Sequence, residues 1–349
     1  ENDMTRRAPA RPIRPLQHDD PLDAAALSRR RLAAAALAVP ALAALPSGAR
    51  AQAFPTKPLR IVVPFGPGTS TDLTARFLAQ KLGDLAKQSI VVENKPGANG
   101  ILGVQHALSF PADGHTLVLG GNTSHAGNVS LFKSLPYDPV KDFVAVSGVS
   151  IGGGAIVASP NFPAKTIPEL VALAKKAPKK YTYGTATAFS TVALAALAQE
   201  AGIELLAVPY KGSASLSSEV MAGTIDLAFE PIVTLLPLIR SGKLQALGVS
   251  TPRRAPGLDI PTVAEQGLPG YKLLGWLTMF ARAGTSPEHV NQLNAWFTQI
   301  LQTPEAAEFF RNSAVWEPMI NTPAQAQAFV ASEVELWRGL VKRAGIEPQ

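Results

Sequence analysis

Three glycine- and hydroxyl-rich segments are the part of this 349-residue sequence best suited to binding a small anion. They cover residues 64–72, 120–128 and 183–191, and each follows a short run of strand-forming residues. The first and third lead into helical patterns, so unpaired N–H groups and the positive end of a helix dipole would face a ligand there. The alternative for each hydroxyl is helix capping alone.

Three ionisable side chains near these segments can add further chemistry. Asp72 begins the first helical pattern, where it acts as a general base or, alternatively, caps the helix and orients the loop. His125 follows Thr123 and Ser124 and can contact a ligand, although no neighbouring acid orients it as a base. Glu230 ends a predicted strand, where it meets a polar group of the ligand or, equally, a salt-bridge partner or solvent.

Composition argues against most enzymatic and metal chemistry. The sequence has no cysteine, which removes cysteine nucleophiles, iron–sulfur clusters, thiolate zinc sites and disulfides. Its five histidines follow no metal-binding spacing, and the first glycine-rich segment has neither P-loop nor dinucleotide-binding spacing. We therefore predict no catalytic residue, no metal and no cofactor.

The net charge of +6 does not indicate a nucleic-acid partner. Residues 1–53 contain eight arginines and five acidic residues, and thus carry half of that charge. The lysine pairs at 175–176 and 179–180 lack the interleaved aromatic residues that favour nucleic-acid binding. We predict no nucleic-acid partner.

Residues 1–53 have the pattern of an export signal. Ser28-Arg29-Arg30-Arg31 precedes fourteen apolar or small residues, 32–45, and small-x-small cleavage sites follow at 49–51 and 51–53. Fourteen residues are too few to cross a bilayer, which needs about 20. The alternative is a short buried helix. The arginine pair resembles a twin-arginine signal, and export by the Sec route is the alternative. Either route predicts a periplasmic protein.

Short strands and amphipathic helices alternate along the remainder of the chain, which predicts two α/β lobes built on mostly parallel sheets. We expect lobe 1 to comprise residues 54–152 and 275–349, and lobe 2 residues 153–274. The chain would cross between the lobes at 150–154, where glycines interrupt strand-like runs, and at 268–274. Ligands of open α/β sheets lie beyond the carboxyl ends of the strands, where all three segments fall.

The sequence resembles the substrate-binding receptors of tripartite tricarboxylate transporters, also called the Bug family. The resemblance rests on Pro67, Gly68 and Asp72 and on six blocks in order: 54–65 (FPTKPLRIVVPF), 91–98 (VVENKPGA), 113–117 (DGHTL), 135–143 (LPYDPVKDF), 208–212 (VPYKG) and 261–265 (PTVAE). It implies a fold like that of type II periplasmic binding proteins, in which two α/β lobes close over a small organic anion and deliver it to membrane permease subunits. We expect a monomer. An exported enzyme or ligand sensor using the same cleft is the alternative.

The resemblance also implies which residues hold the anion, through backbone amides, hydroxyls and ordered water. These are Phe65, Gly66, Gly68, Thr69, Ser70 and Asp72 in the first segment, Thr123 and Ser124 in the second, and Thr185, Ala186, Thr187 and Ser190 in the third. His125 and Glu230 are added on the arguments above.

Departures from the family pattern leave the ligand open. Many relatives have smaller residues where this chain has Thr69, Thr187 and Phe189. The bulk of the last two is expected to narrow or reshape the pocket on the side of lobe 2. Relatives often carry Asp at the position of Glu230, which is one methylene longer.

Overall fold

A computed structural model describes residues 54–254, 258–312 and 316–349 of the chain. The predicted export signal in residues 1–53 lies outside these ranges. Within them, no helix combines the length and the apolar character that a membrane span requires.

Ten strands lie in the described residues. They are β1 Leu59–Val63, β2 Ile90–Asn94, β3 Thr116–Gly121, β4 Phe143–Ala158, β5 Thr182–Thr185, β6 Leu206–Pro209, β7 Leu227–Pro231, β8 Gln245–Val249, β9 Leu274–Arg282 and β10 Trp316–Pro318. Their order is β2-β1-β3-β9-β4-β7-β5-β6, and β8 and β10 also pair with β4. We call the part from β2 to β4 the first sheet, with β10, and the part from β4 to β6 the second sheet, with β8.

Only the outer part of each sheet is parallel. β1 pairs in parallel with β2 and β3, and β5 pairs in parallel with β6 and β7. The central strands β4 and β9 pair with their neighbours in antiparallel fashion. The expectation of mostly parallel sheets is therefore wrong for the centre, because both long central strands connect the two halves instead of following a β-α-β crossover.

Strand β4 joins the two sheets without interruption. Phe143–Gly153 pairs with β9 in the first sheet, and Gly154–Ala158 pairs with β7 in the second. The chain thus passes from one sheet to the other within the predicted crossover at 150–154, but as a continuous strand that the glycines do not interrupt. Glycine instead allows the close packing seen here, since a Cβ on Gly154 would lie 2.4 Å from the Phe229 ring.

Ser250 links the two segments in which the chain passes between the sheets, one at Gly154 and the other at Leu273. Ser250, fully buried at the end of β8, accepts a hydrogen bond from Gly154 N at 3.0 Å through its Oγ. The same hydroxyl donates to the carbonyl of Leu273 at 2.6 Å, immediately before β9. Backbone bonds of Ser250 to Gly154 O and from Leu273 N reinforce both links.

The helices cover both faces of the sheets. They are α1 Ser70–Ala86, α2 Ile101–Leu108, α3 Asn128–Leu131, α4 Ile167–Lys176, α5 Ala188–Ala201, α6 Ser213–Ala222, α7 Ile232–Arg240, α8 Pro287–Leu301, α9 Pro304–Asn312 and α10 Pro323–Arg343. A π-helical turn, Thr123–Gly127, precedes α3. Trp276 and Phe280 of β9 are each 1% exposed, as expected for core residues.

Candidate functional site

A cavity of about 250 Å³ brings together parts of all three predicted segments. Residues of both sheets line it: Phe65, Pro67, Gly68, Thr69, Ser70, Thr71, Gly121, Asn122, Thr123, Thr187, Phe189, Ser213, Ser217, Glu230, Pro231, Thr234, Leu238 and Leu277. Seven of the predicted site residues are in this lining. The other seven, Gly66, Asp72, Ser124, His125, Thr185, Ala186 and Ser190, are not.

The first segment both caps α1 and faces the cavity. Thr69 is the N-cap: its Oγ1 accepts a hydrogen bond from Asp72 N and donates one to the carbonyl of Gly66 at 2.8 Å. The next two residues, Ser70 and Thr71, form the first helical positions and line the cavity. Because helix geometry gives their N–H groups no partner within the helix, both are free to meet an acceptor.

Asp72 fixes the conformation of the first loop through hydrogen bonds. Its carboxylate accepts hydrogen bonds from Gly68 N at 2.9 Å, Arg76 Nε at 3.1 Å and Asn94 Nδ2 at 2.9 Å. Burial alone would raise the pKa of Asp72, but these bonds together hold it below the ordinary value of 3.8. Asp72 therefore orients the loop as an ionised carboxylate and does not line the cavity.

The second segment contributes Asn122 and Thr123, not the residues that follow them. Asn122 Oδ1 accepts a hydrogen bond from Trp276 N at 3.3 Å. The Asn122 Nδ2 is buried and has no hydrogen-bond partner among the described residues. Sequence reasoning missed Asn122, although it lies within the segment 120–128 and an amide donor suits an anion site.

Ser124 and His125 lie in the core beneath the cavity. The Ser124 hydroxyl accepts from Gly121 N at 3.2 Å and contacts His125 Nδ1 at 2.9 Å. The imidazole stacks on Phe280 with 4.0 Å between ring centroids. Complete burial lowers the pKa of His125 to about 3, so the ring is neutral. Its position is that of a packing residue, not of a cavity-lining one.

In the third segment, the hydroxyl of a serine accepts hydrogen bonds from the backbone amides that could otherwise bind an anion. Ser190 Oγ accepts from Ala186 N at 3.0 Å and from Thr187 N at 2.9 Å. Thr187 and Ser190 thus form the capping box of α5, and Thr185 Oγ1 points to the carbonyl of Val208 at 3.4 Å. Of the predicted residues here only Thr187 lines the cavity, beside Phe189.

Glu230 is the one ionisable residue in the described lining. It is 3% exposed, its Oε2 accepts from Ser213 Oγ at 2.9 Å, and its Oε1 has no partner among the described residues. Burial raises the pKa of Glu230 to about 7, against the smaller opposing effect of the Ser213 bond. The alternatives of a salt bridge or solvent exposure do not hold for Glu230.

Ser213, Ser217, Thr234 and Leu238 also line the cavity from α6 and α7. The sequence did not identify them because each lies in a helical pattern. In such a pattern, a residue that faces a cavity cannot be distinguished by sequence from one that faces solvent. The available signal was Gly212, which precedes a serine at the start of α6 just as glycine precedes hydroxyls in the other segments.

No group of three or more potential metal ligands occurs among the described residues. Residues 148–152 read Gly-Val-Ser-Ile-Gly, the pattern of a nucleophile elbow, which sequence reasoning passed over. Ser150 is fully buried in the middle of β4, whereas an elbow requires an exposed serine on a strand-to-helix turn.

An α/β fold with a cavity lined by apolar, hydroxyl and amide residues of both sheets is typical of a solute-binding protein of the periplasmic type. The family described as "Tripartite tricarboxylate transporter family receptor" matches residues 74–346, and the chain belongs to this family. The protein is accordingly a receptor and not an enzyme.

Known proteins of this kind are similar along nearly their whole length. Protein BugT of Bordetella pertussis is 32% identical over 309 residues, which cover 87% of this chain and 94% of BugT. The solved structure of R. palustris Rpa4515 with adipate has a TM-score of 0.82 and 31% identity, covering 85% of this chain and 100% of Rpa4515. The periplasmic binding protein BugD has a TM-score of 0.79 and 31% identity, covering 85% and 100% respectively.

Proposed function

We propose that the protein captures a small organic carboxylate in the periplasm and delivers it to the permease subunits of a tripartite transporter. The observation that carries this proposal is the cluster of hydrogen-bond donors on one side of the cavity. Ser70, Thr71 and Asn122, whose backbone N–H, hydroxyl and amide groups can donate, all line the cavity, and the described lining contains neither lysine nor arginine. The adipate bound to the similar Rpa4515 supports the ligand class.

In this proposal the cavity lies between lobe 1, residues 54–152 and 275–349, and lobe 2, residues 153–274. Ser70, Thr71, Asn122 and Thr123 bind the carboxylate from lobe 1, while Thr187 and Glu230 face the ligand from lobe 2. Asp72 and Ser190 shape the two loops. Closure is driven by tighter binding of the ligand to the closed form than to the open one. The receptor acts as a monomer, exported by the signal in residues 1–53.

The test is ligand-dependent stabilisation without turnover. Succinate, glutarate, adipate, their mono-amino analogues and benzoate are added to the protein, and melting temperature and calorimetric binding are recorded. A ligand at 100 times its Kd stabilises the folded state by about 2.7 kcal/mol. We expect one or more carboxylates to do so, with 1:1 stoichiometry, and to be recovered unchanged. A converted ligand, or no stabilisation by any carboxylate, would contradict the proposal.

The variant Ser70→Tyr tests whether the ligand binds in this cavity. The larger side chain fills the cavity at the first turn of α1, so we expect the ligand-dependent rise in melting temperature to disappear. Ser332→Tyr introduces the same bulk on the exposed surface of α10, outside the cavity, and should bind ligand as the unaltered protein does. Equal binding by both variants would show that the anion binds elsewhere.

A further inference from the structure

The cavity contains a carboxyl group that has no charged partner. Glu230, in β7, is 3% exposed, and the described lining contains no lysine, arginine or histidine. Its Oε2 accepts a hydrogen bond from the Ser213 hydroxyl at 2.9 Å, whereas its buried Oε1 has no partner among the described residues. Burying a carboxylate without a compensating cation is costly, so the neutral, protonated form is favoured at this position.

The elements packed against β7 bring no charge that alters this balance. They are β4, β5, α5, α6 and α7. Their titratable residues, with the charged residues of the loops before α6 and β7, are Tyr183, Glu200, Lys211, Glu219, Asp226 and Arg240. None of these influences the pKa of Glu230, which burial raises to about 7 against the smaller opposing effect of the Ser213 bond.

An anion that enters the cavity strengthens the preference of Glu230 for the protonated form. A carboxylate brings a second negative charge into a space without a cation to offset it, and this repulsion raises the pKa of Glu230 further. The proton belongs on Oε1, because Oε2 already accepts from Ser213. A protonated Oε1 can donate a hydrogen bond to a ligand oxygen, so one proton converts a repelling group into a binding one.

We infer that the receptor binds its carboxylate together with one proton, which is taken from solvent, held on Glu230 and donated in a hydrogen bond to the ligand. This inference rests on the proposed function and concerns how the site works, not which carboxylate it accepts. By linkage, affinity decreases as pH rises. Below about pH 7 Glu230 is already protonated in the free protein and the affinity is constant, whereas above it each pH unit lowers the affinity by up to about tenfold.

The experiment measures proton uptake and affinity together. Adipate, glutarate, succinate and benzoate are each titrated into the protein by calorimetry between pH 6.5 and 8.5, in pairs of buffers with different ionisation enthalpies. The carboxyl groups of these ligands titrate below this range and remain ionised. For those that bind, we expect the Kd to rise about tenfold or more between pH 6.5 and 8.5, with about one proton taken up per ligand bound at pH 8.5.

Glu230→Gln tests where the proton is held. The amide resembles the protonated carboxyl, since it keeps a donor and an acceptor and cannot ionise. We expect the variant to bind without proton uptake, with a Kd that does not change with pH, and at pH 8.5 about tenfold or more tightly than the unaltered protein. A purely structural role for Glu230 would instead give weaker binding at every pH.

Glu333→Gln is the matched control, since Glu333 accepts a hydrogen bond from Trp276 Nε1 at 2.7 Å but does not line the cavity. It should keep both the pH dependence and the proton uptake of the unaltered protein. The melting temperature of each unliganded variant verifies folding.

The outcomes separate this inference from the proposed function. An affinity of the unaltered protein that is constant or increases from pH 6.5 to 8.5, or binding confined to amino analogues, overturns the inference and leaves the receptor function intact. A pH dependence that persists in Glu230→Gln shows that the proton is held elsewhere and overturns the role of Glu230. No binding of any carboxylate, including adipate, overturns both.

Discussion

Asp72 is buried behind the first loop, and its hydrogen bonds define the shape of that loop. Gly68 N and Asn94 Nδ2 both donate to its carboxylate, and Arg76 completes an ion pair at 3.0 Å. The sequence blocks that resemble the family include this aspartate, yet Asp72 does not line the cavity. Its effect on a ligand is therefore exerted through the backbone of residues 66–71.

Replacing Asp72 tests that role. Asp72→Ala leaves the Gly68 and Asn94 donors without their buried acceptor, and we expect the free energy of unfolding to fall by about 2–3 kcal/mol at neutral pH. Because the folded pKa of Asp72 is lowered, its contribution is complete above pH 3.8 and disappears as pH falls through the folded value. Denaturant unfolding at pH 7 and at pH 3 measures both effects.

Asp84→Ala is the control for this substitution, since Asp84 is exposed on the same helix. We expect its effect on the free energy of unfolding to stay within about 0.5 kcal/mol. Equal losses in the two variants, or a loss in Asp72→Ala that does not shrink in acid, would contradict the role assigned to Asp72.

At the residue scale, the sequence did not show whether an individual hydroxyl faces the cavity or caps a helix. The three loops predicted from the sequence each contribute residues to the cavity lining, because glycine and hydroxyl residues at strand ends can be recognised without a structure. It did not distinguish Ser70, which faces the cavity, from Ser190, which caps the amides of Ala186 and Thr187. Capping and ligand binding require the same residue types, and the choice depends on rotamer and on neighbours distant in sequence.

At the scale of elements, the sequence predicted where the chain crosses between the sheets, at 150–154, but not that a continuous strand makes the crossing. The alternation of strands and helices was predicted because the two have different hydrophobic periods, and the structure shows this alternation. The length and antiparallel pairing of β4 were not predicted. Glycines normally weaken a strand, and only the close approach of Phe229 and Ser250 explains why β4 continues through them.

Ser250 offers a direct test of this connection. Ser250→Ala removes the hydroxyl that bridges Gly154 N and Leu273 O and leaves two buried backbone groups unsatisfied. We expect the free energy of unfolding to fall by about 1–3 kcal/mol. Chemical denaturation measures the loss.

Ser241→Ala provides the comparison, because that hydroxyl is exposed and bonds only the carbonyl of Leu238 within its own turn. Its effect should be within about 0.5 kcal/mol. If Ser250→Ala were as well tolerated, the hydroxyl bridge would not stabilise the connection.

At the scale of the whole molecule, the proposed closure predicts a distance change between the lobes. The chain has no cysteine, so two introduced cysteines carry spin labels without background. In Gln80→Cys/Arg240→Cys, both positions are exposed and lie on α1 and α7. We expect the label separation to decrease by more than about 2 Å when the best-binding carboxylate is added.

The control pair lies within proposed lobe 1. Gln80→Cys/Gln302→Cys places labels on α1 and next to α8, and their separation should be the same with and without ligand. A saturating ligand that leaves the first pair unchanged as well would indicate a cavity that binds without closure.

The shared strand β4 has a consequence for how the protein unfolds. Because β4 supplies hydrogen-bond partners to β9 in the first sheet and to β7 and β8 in the second, melting of either sheet leaves part of β4 unpaired and so weakens the other. We therefore expect a ligand that binds only a few loop residues to slow hydrogen exchange in strands of both sheets.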